Sequence, residues 1–232
     1  MSFSGQAWER TAALRAAIEA SPFLAQLGDG SLPTATFRHY LEQDARYLAG
    51  YGRALALLAA RAPGPEAAAF WAGAARGAAV VEVCLHRDLL GSDALTADGP
   101  GGAAAEASPT TLGYVSHLVA TAATEPYAVA AAAVLPCFWV YADVAARLAA
   151  SAAVAGSDHP YARWIAAYDA AEFTDSVTAA RNHVDAAART VDGATREAMH
   201  TAFATATRYE LLFWDTALVH EDWPLPLPLP LP

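Results

Sequence analysis

The segment from Pro33 to Ala62, "PTATFRHYLEQDARYLAGYGRALALLAARA", constrains the fold more than any other part of the chain. Phe37, Tyr40, Leu41, Asp44, Tyr47, Leu48 and Tyr51 recur in it by steps of three and four residues. That spacing places them on one side of a helix, whereas a strand would alternate inward and outward positions. Pro33 suits the first turn of such a helix. A stripe this broad and aromatic must be covered by other elements, so the helix belongs to a packed bundle. Asp44, in the middle of the stripe, is the anomaly. A carboxylate there is either paired in the core or waiting for a ligand.

The rest of the chain repeats the helical signal, and period-2 patterns bounded by turn residues are hard to find. A first helix is expected from about Ala7 to Ala20, stopping before Ser21-Pro22. A third follows "PGP" and runs from about Glu66 to Leu90, ending at Gly91. Residues 92–107, rich in Gly, Ala, Asp and Ser, read as a flexible connection. Ser108-Pro109 reads as a cap with proline in the first turn of a further helix. A fifth helix covers roughly Pro126 to Ala150. "SDHP" at 157–160 opens another through Phe173, one more covers about 175–191, and the last runs from about Ala194 to Val219. The expectation is an all-α, single-domain multi-helix bundle of about eight helices over residues 1–222. The tail 223–232, "WPLPLPLPLP", cannot continue a helix and is expected to be extended.

Composition narrows the partners. A net charge of -10 disfavours a nucleic-acid binder, which needs a basic footprint to neutralise phosphates. All fourteen basic residues are arginine, so Schiff-base and Walker lysines are excluded. Two cysteines, Cys84 and Cys137, make neither a disulfide framework nor a structural zinc cluster. The opening "MSFSGQAWERTAALR" has no apolar signal core. The longest uncharged run, between Glu125 and Asp143, falls just short of a bilayer span and contains Pro136, so it reads as a buried helix. The expectation is a soluble, cytoplasmic protein with no membrane or nucleic-acid partner.

Several polar or reactive residues interrupt apolar faces at helical spacing: Asp44 with Tyr47, Glu82 with His86, Tyr114, Cys137 with Tyr141, Tyr168 with Glu172, and Glu210 with Phe213 and Trp214. Each alone has a plain structural reading. A tyrosine on such a stripe is ordinarily core with its hydroxyl bonded at the edge. A lone buried cysteine is ordinarily a small hydrophobe. Together they are harder to dismiss, because Asp44, Glu82 and Glu210 lie on stripes poor in cations. A tyrosine-walled cavity for a polar aromatic ligand accounts for all of them. Two other chemistries fit the same residues. Glu82, His86, Glu172 and Glu210, with His117 as a second histidine, could supply a diiron carboxylate site. A non-catalytic binding or regulatory protein could keep the cavity without needing the thiol.

The segment "SPFLAQLGDGSLPTATFRHYLEQDARYL" resembles the opening of the TenA/thiaminase II family. The likeness continues through "EVCLH" at 82–86, "YVSHLVATA" at 114–122 and "LPCFWVYADVA" at 135–145. It extends to "WIAAYDAAEF" at 164–173 and "YELLFWDTA" at 209–217. The resemblance implies a haem-oxygenase-like fold without haem or any other cofactor or metal, assembled as a homotetramer. It implies aminopyrimidine aminohydrolase (thiaminase II) activity in thiamin salvage. That reaction converts 4-amino-5-aminomethyl-2-methylpyrimidine and water to the 5-hydroxymethyl pyrimidine and ammonia, or cleaves thiamin at the same carbon. Free amine, formylated amine and thiazolium all remain open as the leaving group. Cys137 in the "PC" motif places the sequence in the cysteine-containing branch. Carried over by position, Cys137 would be the nucleophile and Glu210 the proton donor and acceptor. Asp44 would grip the aminopyrimidine edge. Tyr47, Tyr114, Tyr141, Tyr168 and Phe213 would line the ring's pocket, with Glu82 and His86 in support.

Overall fold

A computed structural model describes residues 1–82, 106–155, 159–168 and 171–224 of the chain. Three short helices open it: α1 (Phe3–Arg10), α2 (Ala12–Glu19) and α3 (Pro22–Asp29). The single helix expected over 7–20 is therefore two. Thr11 interrupts it, its hydroxyl donating back to the carbonyls of Ala7 (2.9 Å) and Trp8 (3.2 Å). Such local bonds offer the backbone an alternative to the helical ladder. The helix α3 was not anticipated. Pro22 occupies its first turn, and Gly30 stops it in the left-handed region (φ 80°), where a Cβ would be strained.

The aromatic stripe becomes α4 (Thr34–Ala60), and every residue of the stripe is buried, Asp44 included. The next helix, α5 (Pro65–Arg76), does not stay regular to Leu90 as expected. It passes into a π-helical stretch, Gly77–Glu82, and residues 83–90 lie outside those described. Ser108 caps α6 (Pro109–Thr124) as expected, accepting from the Thr111 amide at 3.2 Å. The remaining helices are α7 (Tyr127–Ala155), α8 (Ala162–Tyr168), α9 (Ala171–Ala188) and α10 (Gly193–Leu218). Of the helix expected from 157 through 173, Ala162–Tyr168 and the start of α9 are helical, and residues 156–158 and 169–170 lie outside those described.

The centre of the bundle is α7. From Ala130 to Leu135 its residues are at most 1% exposed, and α3, α4, α6, α8, α9 and α10 all pack on it. By length and hydropathy alone Tyr127–Ser151 could cross a bilayer, yet most of it is covered by protein. It is a core helix. Pro136 does not end it, although proline removes one N–H from the helical ladder. The Tyr51 hydroxyl donates to the Val134 carbonyl (3.0 Å) and ties α4 to α7 just before that proline.

Two devices fix the neighbouring helices. On the outer side of α7, Trp139 stacks on Trp8 of α1 with ring centroids 4.1 Å apart. The guanidinium of Arg15 lies 3.8 Å from the Trp8 ring and that of Arg181 3.8 Å from the Trp139 ring. This four-layer stack joins α1, α2, α7 and α9. Between α4 and α6, Gly50 lies so close to Val115 that a Cβ would overlap its side chain. This close approach is one turn from Tyr47 and one residue from Tyr114.

Candidate active site

A cavity of about 860 Å³ opens between α4, α5, α6, α7, α9 and α10. Seven of the residues given site roles by the resemblance line it: Asp44 and Tyr47 from α4, Tyr114 from α6, Cys137 and Tyr141 from α7, and Glu210 and Phe213 from α10. Helical periodicity accounts for each placement. Asp44 and Tyr47, three residues apart, project from one face of α4; Glu210 and Phe213 do the same from α10. Tyr168 ends α8 and Glu82 ends the π-helical stretch, but their side chains, like all of His86, lie outside the described residues.

The inner end of the cavity is a cluster of buried polar groups. Tyr114 donates its hydroxyl hydrogen to Glu210 Oε1 at 2.6 Å. Glu210 is 4% exposed, and burial lifts its carboxyl to about 7, the Tyr114 hydrogen bond pulling the other way. An acid poised there exists in both protonation states near neutral pH and can give or accept a proton. Burial likewise drives the hydroxyls of Tyr47 and Tyr114 well above the ordinary tyrosine range, with Cys137 and Glu210 adding to the effect. Both phenols stay neutral. The Tyr47 ring lies 4.8 Å from that of Tyr114 and 5.5 Å from that of Phe213. Its buried hydroxyl has no partner of hydrogen-bonding geometry among the described residues. On the other side, the hydroxyls of Tyr40 and Tyr141 are 3.0 Å apart.

The described lining includes four acids, Asp44, Glu172, Asp175 and Glu210, and neither an arginine nor a histidine. Cys137 is half-buried and not in a disulfide. Among the described residues no group of three or more His, Cys, Asp and Glu side chains converges on a point. Glu172 lies exposed at the mouth, far in character from buried Glu210. His117 stacks on Tyr209 (5.7 Å) and is not among the residues lining the cavity.

Other lining residues were missed as site residues. Tyr51 and Trp214 were legible as stripe positions. Phe70, Phe138 and Phe173 were not, and the small residues Ala69, Gly73, Gly77 and Ala78 are hidden in a chain where alanine is everywhere.

Known proteins share this architecture. A TenA homologue from P. horikoshii superposes with a TM-score of 0.83 at 27% identity, covering 94% of this chain and 99% of its own. A heme-oxygenase-like domain from Shewanella denitrificans shares the fold at a TM-score of 0.66 and 12% identity, covering 95% and 93%. In sequence, the thiamine biosynthesis multifunctional protein ThiED of Corynebacterium glutamicum is 35% identical over 94% of this chain, which spans only 27% of that protein's length. The aminopyrimidine aminohydrolase of Halalkalibacterium halodurans is 30% identical over 96% of this chain and 98% of its own. The model of the TENA/THI-4/PQQC family matches residues 11–220. With an all-α, haem-oxygenase-like bundle built around a tyrosine-walled acidic cavity, this chain belongs to the TENA/THI-4/PQQC family.

Proposed function

We propose that the chain is an aminopyrimidine aminohydrolase that replaces the amine on the exocyclic carbon of 4-amino-5-aminomethyl-2-methylpyrimidine, or the thiazole of thiamin, by hydroxyl. The observation that carries this reading is the meeting of Cys137, Glu210, Asp44 and a cage of aromatic rings in one cavity, with Glu210 titrating near neutrality. The name of the H. halodurans relative, which aligns almost end to end with this chain, supports the same activity.

The chemistry follows from the residue types. The pyrimidine stacks between Tyr47, Tyr114, Tyr141 and Phe213, with Tyr168 as a further wall, and Asp44 accepts hydrogen bonds from its aminopyrimidine edge. Glu210 protonates a ring nitrogen, which makes the adjacent ring carbon electrophilic. The sulfur of Cys137 bonds to that carbon as the thiol proton leaves by way of the acid. In this proposal proton transfer to the acid is concerted with attack by sulfur. The electron-rich ring then expels the amine from the exocyclic carbon; the amine takes the bonding pair and a proton. Water adds its oxygen to the methide carbon, and sulfur departs with the remaining proton. Covalent addition thus divides one hard substitution into easier steps. No cofactor is required. Assembly as a homotetramer and a cytoplasmic location belong to the same proposal. Light scattering of the purified protein tests the former.

The test is incubation of the purified protein with the aminomethyl pyrimidine and with thiamin, followed by identification of the products. In Cys137→Ala turnover is lost while the hydroxymethyl pyrimidine still binds. Near-normal turnover by that variant overturns the covalent mechanism.

A further inference from the structure

Tyr40 makes a contact that the chemistry above does not use. It lies on α4 one turn before Asp44, is 0% exposed and is not among the residues lining the cavity. Its hydroxyl nevertheless lies 3.0 Å from that of Tyr141, which does line the cavity. The neighbours of the Tyr40 ring are themselves aromatic, with Phe23 at 5.3 Å and Phe37 at 6.1 Å between ring centroids. Phenylalanine meets packing of that kind equally well, and a buried hydroxyl is costly unless it is hydrogen-bonded. The oxygen at Tyr40 therefore has a role besides filling space.

Two indoles hold the pair of phenols together. Trp214 lies along both rings, 5.2 Å from Tyr40 at an interplanar angle of 19° and 5.7 Å from Tyr141 at 27°. Trp164 meets both edge-on, at 5.8 Å and 85° for Tyr40 and at 6.2 Å and 71° for Tyr141. With the same two walls gripping both rings, neither oxygen moves far without the other. Burial then separates their roles. Tyr40 is sealed in the core, whereas Tyr141 is partly exposed and faces the cavity. Of the two hydroxyl hydrogens, only that of Tyr141 can be offered to a ligand. A phenol that accepts one hydrogen bond is also the stronger donor of another, because bonds in series polarise one another.

Resting on the aminohydrolase reading above, we infer that Tyr40 is a positioning residue for Tyr141. It donates to the Tyr141 oxygen and turns the Tyr141 hydrogen into the cavity, toward the bound pyrimidine. Tyr141 then contributes a fixed and reinforced donor at the cavity wall as well as a ring face, and Tyr40 is what fixes it.

Calorimetric binding of the hydroxymethyl pyrimidine and steady-state kinetics with the free aminomethyl pyrimidine test this in Tyr40→Phe, Tyr141→Phe and the double variant. Loss of one neutral hydrogen bond changes an affinity by about three- to tenfold. Tyr40→Phe raises both Kd and KM by that factor and leaves kcat within about twofold, the pattern of an interaction made equally in ground and transition states. Tyr141→Phe does at least as much. The double variant binds no worse than Tyr141→Phe, because Tyr40 acts through that hydroxyl. A core merely loosened by losing a hydroxyl gives factors that multiply in the double variant, and that result overturns the positioning role. Equal Kd in Tyr40→Phe and the wild type overturns it too, and in either case turnover by the wild type leaves the hydrolase reading standing. If the wild-type protein neither binds the pyrimidine nor turns over the amine, both fall together.

Discussion

Removing the Tyr114 hydroxyl is the sharpest test of the electrostatics at the inner end of the cavity. In the wild-type protein burial holds the Glu210 carboxyl at about 7, and the 2.6 Å bond from Tyr114 is the influence that keeps it from rising further. A hydrogen bond to a charged group is worth roughly 1.5–3 kcal/mol. At about 1.4 kcal/mol per pH unit, its loss lifts the carboxyl by roughly one to two units. In Tyr114→Phe the Glu210 midpoint therefore moves to about 8–9. Infrared difference titration of the protonated carboxyl band reads this directly, with Glu210→Gln as the blank, and needs no substrate. If Glu210 supplies the proton in turnover, the alkaline limb of the kcat/KM profile moves up by the same amount. A midpoint that stays put or falls refutes the reasoning, since it means that the tyrosine does not preferentially stabilise the carboxylate.

Three further outcomes follow from the packing and the charge balance. Because the folded pKa of Glu210 is raised from 4.5 to about 7, the native state holds a proton that the unfolded chain releases. Its contribution to stability is complete below pH 4.5 and is lost as pH rises through about 7, by roughly 3–4 kcal/mol. Glu210→Gln removes that slope, so urea denaturation at pH 5 and pH 8 shows the variant gaining on the wild type at the higher pH. Gly50→Ala forces a methyl onto Val115 and costs about 1–3 kcal/mol in thermal unfolding, and the double variant with Val115→Ala recovers most of it. Trp139→Ala breaks the four-layer stack and destabilises by about 3 kcal/mol, whereas Arg181→Ala costs about 1 kcal/mol.

The sequence was most legible where periodicity and chemistry coincide. Asp44 and Tyr47 stand out because an acid breaks an aromatic stripe, and the structure buries the whole stripe and lines the cavity with Asp44, Tyr47, Leu48 and Tyr51 of it. Ser108 and Pro109 announced the start of α6 in the same way. Legibility failed where tertiary contact or backbone competition decides. Nothing in the run from Ala7 to Ala20 marks Thr11 as a break until its hydroxyl turns back onto α1. The π-helical stretch at Gly77–Glu82 has no periodic signature, and the helix α3 is too short to show a stripe. The partners Tyr40 and Tyr141, which meet across the bundle, are 101 residues apart and share no local pattern. The outer half of the cavity was hidden for a different reason, because glycine and alanine mark a space only when something faces them.

The column of two indoles between two guanidinium groups bears on how the protein responds to pH. Arginine keeps its charge across the whole range in which a protein stays folded, so the clamp behind Cys137 does not loosen as Glu210 changes state. Acid and alkali thus act on the proton inventory of the cavity while the rod bearing the sulfur is gripped from outside by groups indifferent to both.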